Sequence, residues 1–206
     1  MTRGKFIVFE GIDGSGKSSH ARLLKERLEA AGHRVWLTCE PTEGEAGTLL
    51  RRCLTGAADL PEQAIAGLFM TDRLDHILNP TTGILAHLDR GEIVLCDRYY
   101  FSSFAYNSLF APMDWIIEIN RVARETLRPD LTLFLDIPPE SFALRMTGRG
   151  ERERYEKIET LTRVRENYLK AFAALPDERV ATVDNARPIE VAAEEVATLV
   201  EKVLAE

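Results

Sequence analysis

The sequence predicts an α/β fold, a parallel β-sheet flanked by helices, from three observations. Short apolar runs alternate along the chain with longer segments of helical period. The short runs are apolar at consecutive positions, as strands covered on both faces are. A glycine-rich loop, GIDGSGKS at 11–18, stands between the first apolar run and the first helical segment. The length of 206 residues fits one domain over residues 1–206.

Lys5 to Phe9 (KFIVF) reads as the first strand. From Ser18 to Ala31, Ala21, Leu24, Leu28 and Ala31 recur on one helical face, and Gly32 supplies the stop. Arg34 to Cys39 is a second strand, followed by the turn-rich EPTEGEAG. A long helical region runs from about Pro61 to Leu88 with a break at Pro80. Ile93 to Cys96 is the third strand, then helices follow at Ser102–Asn107 and Asp114–Thr126, and Leu131 to Asp136 is the fourth strand. A short helix starts near Pro139, and a charged GRGERER segment without apolar period follows. Ile158, Leu161, Val164, Tyr168 and Phe172 line one face of the next helix. The strand Arg179–Val183 and a helix from Pro188 close the chain.

Composition excludes several classes. The net charge of −7 opposes sequence-independent binding of nucleic acid, which needs a basic face to displace counterions. It also argues, at first sight, against a phosphate-rich ligand. No apolar run approaches a membrane span, and Glu10 and Asp13 interrupt any signal-peptide core, so a cytoplasmic protein is expected. Cys39, Cys53 and Cys96 are too few for a disulfide framework; Cys39 and Cys96 lie in strand-like runs and read as buried, inert thiols. The four histidines show no metal-ligand spacing.

The loop matches G-x-x-x-x-G-K-[ST] over Gly11, Ile12, Asp13, Gly14, Ser15, Gly16, Lys17 and Ser18, with Ser19 next in the helix. Glycines let backbone N–H groups turn inward around phosphate oxygens, and the helix N-terminus faces the same anion. Lys17 would reach the outer phosphates, and the Ser18 hydroxyl would ligate Mg²⁺. No Asn-Lys pair and no D-x-x-G after the third strand are present, which sets a GTPase aside. IVLC ends in Asp97-Arg98-Tyr99, and strand ends in a parallel sheet converge beside the loop. Asp97 there supports Mg²⁺, and Arg98 suits a second anionic group; a purely structural Asp–Arg pair is the alternative.

In sum, FEGIDGSGKS, CEP with GTLLR, LFMTDR, DRYYFSSFAY and RGERERYE follow one another in the order found in thymidylate kinases, and the chain resembles that family of P-loop kinases over nearly its whole length. The resemblance implies transfer of the γ-phosphoryl group of Mg-ATP to dTMP, giving dTDP and ADP, in a homodimer. It puts Asp13 on the sugar 3′-OH and Arg51 on the monophosphate, with Arg52 as an alternative. Phe69 stacks on the thymine and Arg73 meets its O4. Arg98 binds the acceptor phosphate, Ser102 and Ser103 face the base edge, and Tyr106 crowds C2′ to exclude ribose. Tyr99 and Tyr100 either join them or pack beneath the loop.

Gly14 stands where many relatives carry an arginine. The resemblance compensates with an Arg-rich lid over about 145–156, in which Arg145, Arg149, Arg152 and Arg154 can stabilise the transferring phosphoryl group, Arg149 foremost. Interleaved glutamates also allow a solvated, salt-bridged segment. Arg187 falls in an adenine-side loop. Two other functions stay open: a deoxynucleoside kinase, with Asp97 as base, and a nucleotide-binding switch with little turnover.

Overall fold

The computed structural model describes residues 3–141 and 157–206. Five strands, β1 (Phe6–Glu10), β2 (Val35–Cys39), β3 (Ile93–Asp97), β4 (Leu131–Asp136) and β5 (Val180–Asp184), form one parallel sheet in the order β2-β3-β1-β4-β5. The helices are α1 (Lys17–Ala30), α2 (Glu45–Leu54), α3 (Glu62–Leu78), α4 (Ile84–Asp89), α5 (Tyr100–Tyr106), α6 (Met113–Ile119), α7 (Arg121–Thr126), α8 (Ile158–Ala174) and α9 (Ile189–Leu204). The α/β parallel architecture is therefore the one the sequence predicts.

Alternation within each strand feeds two cores. Phe6 and Val8 of β1 point into a cluster with Tyr100, Phe104 and Phe134 under α3, α5 and α8. Ile7 and Phe9 point the other way, against Ala21 and Leu24 of α1 and Val196 and Val200 of α9. Both faces of β1 are thus buried, which is why its apolar run is unbroken.

The structure corrects several expectations. The turn-rich stretch after β2 is short, and α2 begins at Glu45. Its Gly47 is required by packing: a Cβ there would sit 2.1 Å from the Thr42 carbonyl oxygen. The single helix expected at Asp114–Thr126 is two, parted at Asn120, whose buried amide bonds the Ile116 carbonyl oxygen at 2.8 Å and also serves Arg73. Cys53 and Cys96 are buried, but Cys39 is exposed, because β2 ends there at the sheet edge, beside the cleft described next. The break at Pro80 is present between α3 and α4. The expected lid at 145–156, with Arg145, Arg149, Arg152 and Arg154, lies outside the described residues. Among the described residues no helix is long and apolar enough to cross a membrane.

Candidate active site

A cleft of about 930 Å³ opens where the carboxyl ends of β1, β2 and β3 meet the first turn of α1. Its wall carries five cationic side chains, Lys17, Arg22, Arg51, Arg98 and Arg187, against the carboxylates of Asp13, Glu40 and Asp97. The local balance is positive although the chain carries −7, so the objection to a polyphosphate ligand drawn from net charge does not hold.

The loop between β1 and α1 is built on backbone that only glycine adopts readily. Gly11 has φ +147°, and a Cβ on it would lie 2.7 Å from the Leu135 carbonyl oxygen. Gly16 has φ +85° immediately before α1. Asn185, in the loop after β5, braces this turn: its Nδ2 donates to the Ser15 carbonyl oxygen at 2.5 Å, and its Oδ1 lies 2.8 Å from His20 Nε2. Of the predicted loop residues, Asp13, Gly14, Gly16, Lys17, Ser18 and Ser19 reach the cleft wall. Gly11, Ile12 and Ser15 instead shape the loop from behind, with Ile12 and Ser15 buried.

Lys17 folds back, donating through Nζ to the carbonyl oxygens of Gly11 at 3.1 Å and Ile12 at 2.9 Å. Burial pushes its ammonium pKa down to about 8, helped by the Arg98 charge and opposed by Asp97, Asp13 and Glu10. Ser18 Oγ donates to Asp97 Oδ2 at 2.5 Å, while Asp97 Oδ1 is buried without a partner.

Arg98 follows β3 with φ +71°, a left-handed conformation in a non-glycine residue. Its guanidinium spans the cleft floor, pairing with Asp13 and donating to Ser102 Oγ at 3.1 Å. Tyr106 completes the group: its hydroxyl donates to Asp13 Oδ2 at 3.0 Å, and its ring lies 5.0 Å beneath the Arg98 guanidinium.

On the opposite wall Arg51 is exposed and donates to the Pro41 carbonyl oxygen, whereas Arg52 is not on the wall. Phe69 lines the cleft from α3. Arg73 does not: its side chain is 1% exposed. Nε and Nη2 donate to Glu40 Oε2 at 2.9 and 2.7 Å, and Nη1 donates to Asn120 Oδ1 and, at 3.2 Å, to Ser103 Oγ. Ser103 therefore separates Arg73 from the cleft, against the expectation that Arg73 itself faces a ligand. Tyr99 and Tyr100 are buried, with hydroxyls on the Leu127 carbonyl oxygen and on Glu178. Of the two readings left open for them, packing beneath the loop is the one found.

Three residues of the site went unread in the sequence. Asn107 lines the cleft with its Oδ1 buried and unpartnered, four residues after Ser103 and hence on the same helical face. Glu40 is the buried counter-ion of Arg73. Glu10 anchors the turn that carries Arg98. The i, i+4 spacing is the signal that could have revealed Asn107. Arg187 lines the cleft, but its guanidinium is engaged by Glu195 and the Asp184 carbonyl oxygen.

The thymidylate kinase family model matches residues 9–196. A probable thymidylate kinase of Pyrococcus horikoshii is 41% identical over 185 residues, covering 86% of this chain and 87% of that protein. One from Staphylothermus marinus is 44% identical over 180 residues, 84% of this chain and 86% of the relative. One from Thermococcus kodakarensis, 37% identical, spans 98% of this chain and 99% of its own length. With the glycine-rich loop and the strand-end Asp97-Arg98 on one cleft, and with the family model and these relatives matching over most of its length, the chain belongs to the thymidylate kinase family.

Proposed function

We propose that this cleft transfers the γ-phosphoryl group of ATP to the 5′-phosphate of dTMP, giving dTDP and ADP. The observation that carries the reading is Arg98, set by the β1–β3 ladder between the phosphate loop and a pocket closed by Tyr106 and Ser103. An oxygen of the acceptor phosphate forms the new bond to the γ-phosphorus as the bond to the β–γ bridging oxygen breaks. The acceptor is already an anion, so no general base is needed, and rate comes from alignment and charge stabilisation. Lys17 leaves the Gly11 and Ile12 carbonyls for the outer phosphates, and Arg98 and Arg51 hold the acceptor phosphate. Gly11 to Ser19 bind ATP through the loop backbone, with Arg145 and Arg187 on the nucleotide side and Arg149 at the transferring group.

Mg²⁺ fits the residues present. Ser18 and Asp97 would hold it together with phosphate oxygens and water, since one Asp97 oxygen is buried without a partner beside the Ser18 hydroxyl. When bound, the ion neutralises charge on the β- and γ-phosphates. Among the described residues no group of three or more His, Cys, Asp or Glu side chains is arranged for a metal on its own.

Base selection follows from donors and acceptors. Ser103 Oγ accepts from Arg73, so its own proton is free for a carbonyl such as thymine O4, and Asn107 Oδ1 is free to accept N3–H. Cytosine presents the reverse pattern at both positions. Phe69 supplies an apolar face for the ring, Asp13 meets the 3′-OH, and Tyr106 bounds the sugar; the Ser102 hydroxyl, expected at the base edge, is instead taken up by Glu10 and Arg98. The chain acts as one domain, as a cytoplasmic homodimer that binds no nucleic acid and no membrane.

A coupled ADP-release assay against dTMP, dUMP, dCMP, dGMP, AMP, UMP and thymidine tests the reading. Preference for dTMP is expected; preference for thymidine would make the chain a nucleoside kinase, and no turnover would leave a binding protein.

A further inference from the structure

Glu10 closes β1, and its carboxylate is wholly buried, yet nothing in the reaction described above uses it. A buried carboxylate persists only where its acceptor capacity is filled. Here it is filled on both oxygens. Oε1 accepts the backbone N–H of Tyr99 at 2.9 Å and of Ser102 at 3.0 Å. Oε2 accepts the hydroxyls of Ser102 at 2.6 Å and of Tyr168 at 2.8 Å. Burial pushes the Glu10 pKa up, while these hydrogen bonds and the Arg98 charge hold it back.

Three of the four donors belong to the turn directly after Arg98, the residue with φ +71°. That conformation is unfavourable for a side chain with a Cβ and persists where neighbours over-determine it. Ser102 also connects the carboxylate to the guanidinium, because its Oγ donates to Glu10 and accepts Arg98 Nη1 at 3.1 Å. Glu10 is at the same time the residue before Gly11, so one side chain ties the acceptor-side turn to the root of the phosphate loop.

We propose that Glu10 is a positioning residue for the acceptor subsite: acting through Ser102 and the 98–102 turn, it fixes the direction in which Arg98 presents its guanidinium. The inference rests on the assignment of Arg98 to the acceptor phosphate. Tyr168 fills the last acceptor position of the carboxylate and reaches it from α8, so the anchor is shared by three elements.

Glu10→Gln is the informative variant because it keeps the size. Its amide oxygen retains the two backbone donors, and its amide N–H groups face hydroxyls that can reverse their protons. The negative charge behind Ser102 is lost. Ser102→Ala removes the connection from the other side and carries the same expectation should Glu10→Gln fail to fold. Steady-state kinetics, dTMP-binding calorimetry and melting temperature are measured for wild type, both single variants and the double variant. Each single substitution is expected to raise the dTMP KM and Kd about tenfold with the ATP KM held within about twofold, and the double is no worse than the poorer single. An unchanged dTMP KM, equal rises for both substrates, or additive effects in the double variant would overturn the proposal. A wild type that prefers another nucleoside monophosphate would overturn only the base assignment, and the same comparison is then read with that acceptor.

Discussion

Raising the pH should weaken ATP binding through Lys17 alone, over a range where ordinary lysines do not titrate. Burial, with the nearby Arg98 charge, holds the Lys17 pKa at about 8 in the free protein. Bound triphosphate adds negative charge at Nζ and restores the ammonium, raising its pKa. The sign follows: a proton must be taken up on binding once the free amine is neutral, so affinity falls as pH rises above about 8. If the bound form stays protonated, Kd for ATP grows roughly tenfold per unit, and between about pH 7 and about pH 9.5 it rises about 30-fold, or ~2 kcal/mol. Calorimetric titration of ATP without acceptor across that range measures the slope, and buffers of different ionisation enthalpy count the proton. Lys17→Met should bind weakly and with a flat profile. A flat wild-type profile, or a Lys17→Met profile with the same slope, would refute the reasoning.

Removing Arg73 strips Glu40 Oε2 of its buried counter-charge and leaves His76 Nδ1, 3.1 Å from Oε1, as its remaining side-chain partner, so Arg73→Ala should lose about 3 kcal/mol in a urea unfolding series. Adding Glu40→Gln to Arg73→Met should recover most of that stability without recovering the use of dTMP, which separates the structural task of Arg73 from its effect on Ser103. Asn107→Ala should cut the preference for dTMP over dCMP by about tenfold in competition kinetics, because the N3–H loses its acceptor. Asp97→Asn should lower kcat by about a hundredfold and raise the Mg²⁺ concentration needed for half-maximal rate.

Local physics explains what could be read from the sequence. The central strands β1 and β3 were legible because burial on both faces makes them continuously apolar up to their last residue. The phosphate loop was legible because its backbone needs glycine at fixed places. The helix α2 was hidden by Gly44 and Gly47, which look like turn residues, although Gly47 is set by close contact with the Thr42 backbone. The break at Asn120 answers to Arg73, 47 positions earlier, and no local pattern carries that information. In the site, Asp13 and Arg98 were assigned to separate ligand groups, yet they pair across 85 positions. That Glu40, Asn120 and Ser103 gather around the buried Arg73 guanidinium is not carried by any local pattern, since they stand 30 to 47 positions away. Glu10 ends an apolar run and so resembles a residue turning toward solvent, when it is wholly buried behind the phosphate loop.

The ladder between β1 and β3 pairs Phe9 with Asp97, and the Arg98 N–H continues it to the Phe9 carbonyl oxygen at 2.9 Å. The phosphate loop and the acceptor turn therefore leave the sheet side by side, one strand spacing of about 4.8 Å apart. Their separation belongs to the main chain. Side-chain substitutions in the cleft alter charge, contact and selectivity, but they leave the gauge between donor and acceptor untouched. What the enzyme recognises and how far it must carry a phosphoryl group can consequently diverge independently, the first residue by residue and the second only by rebuilding the sheet.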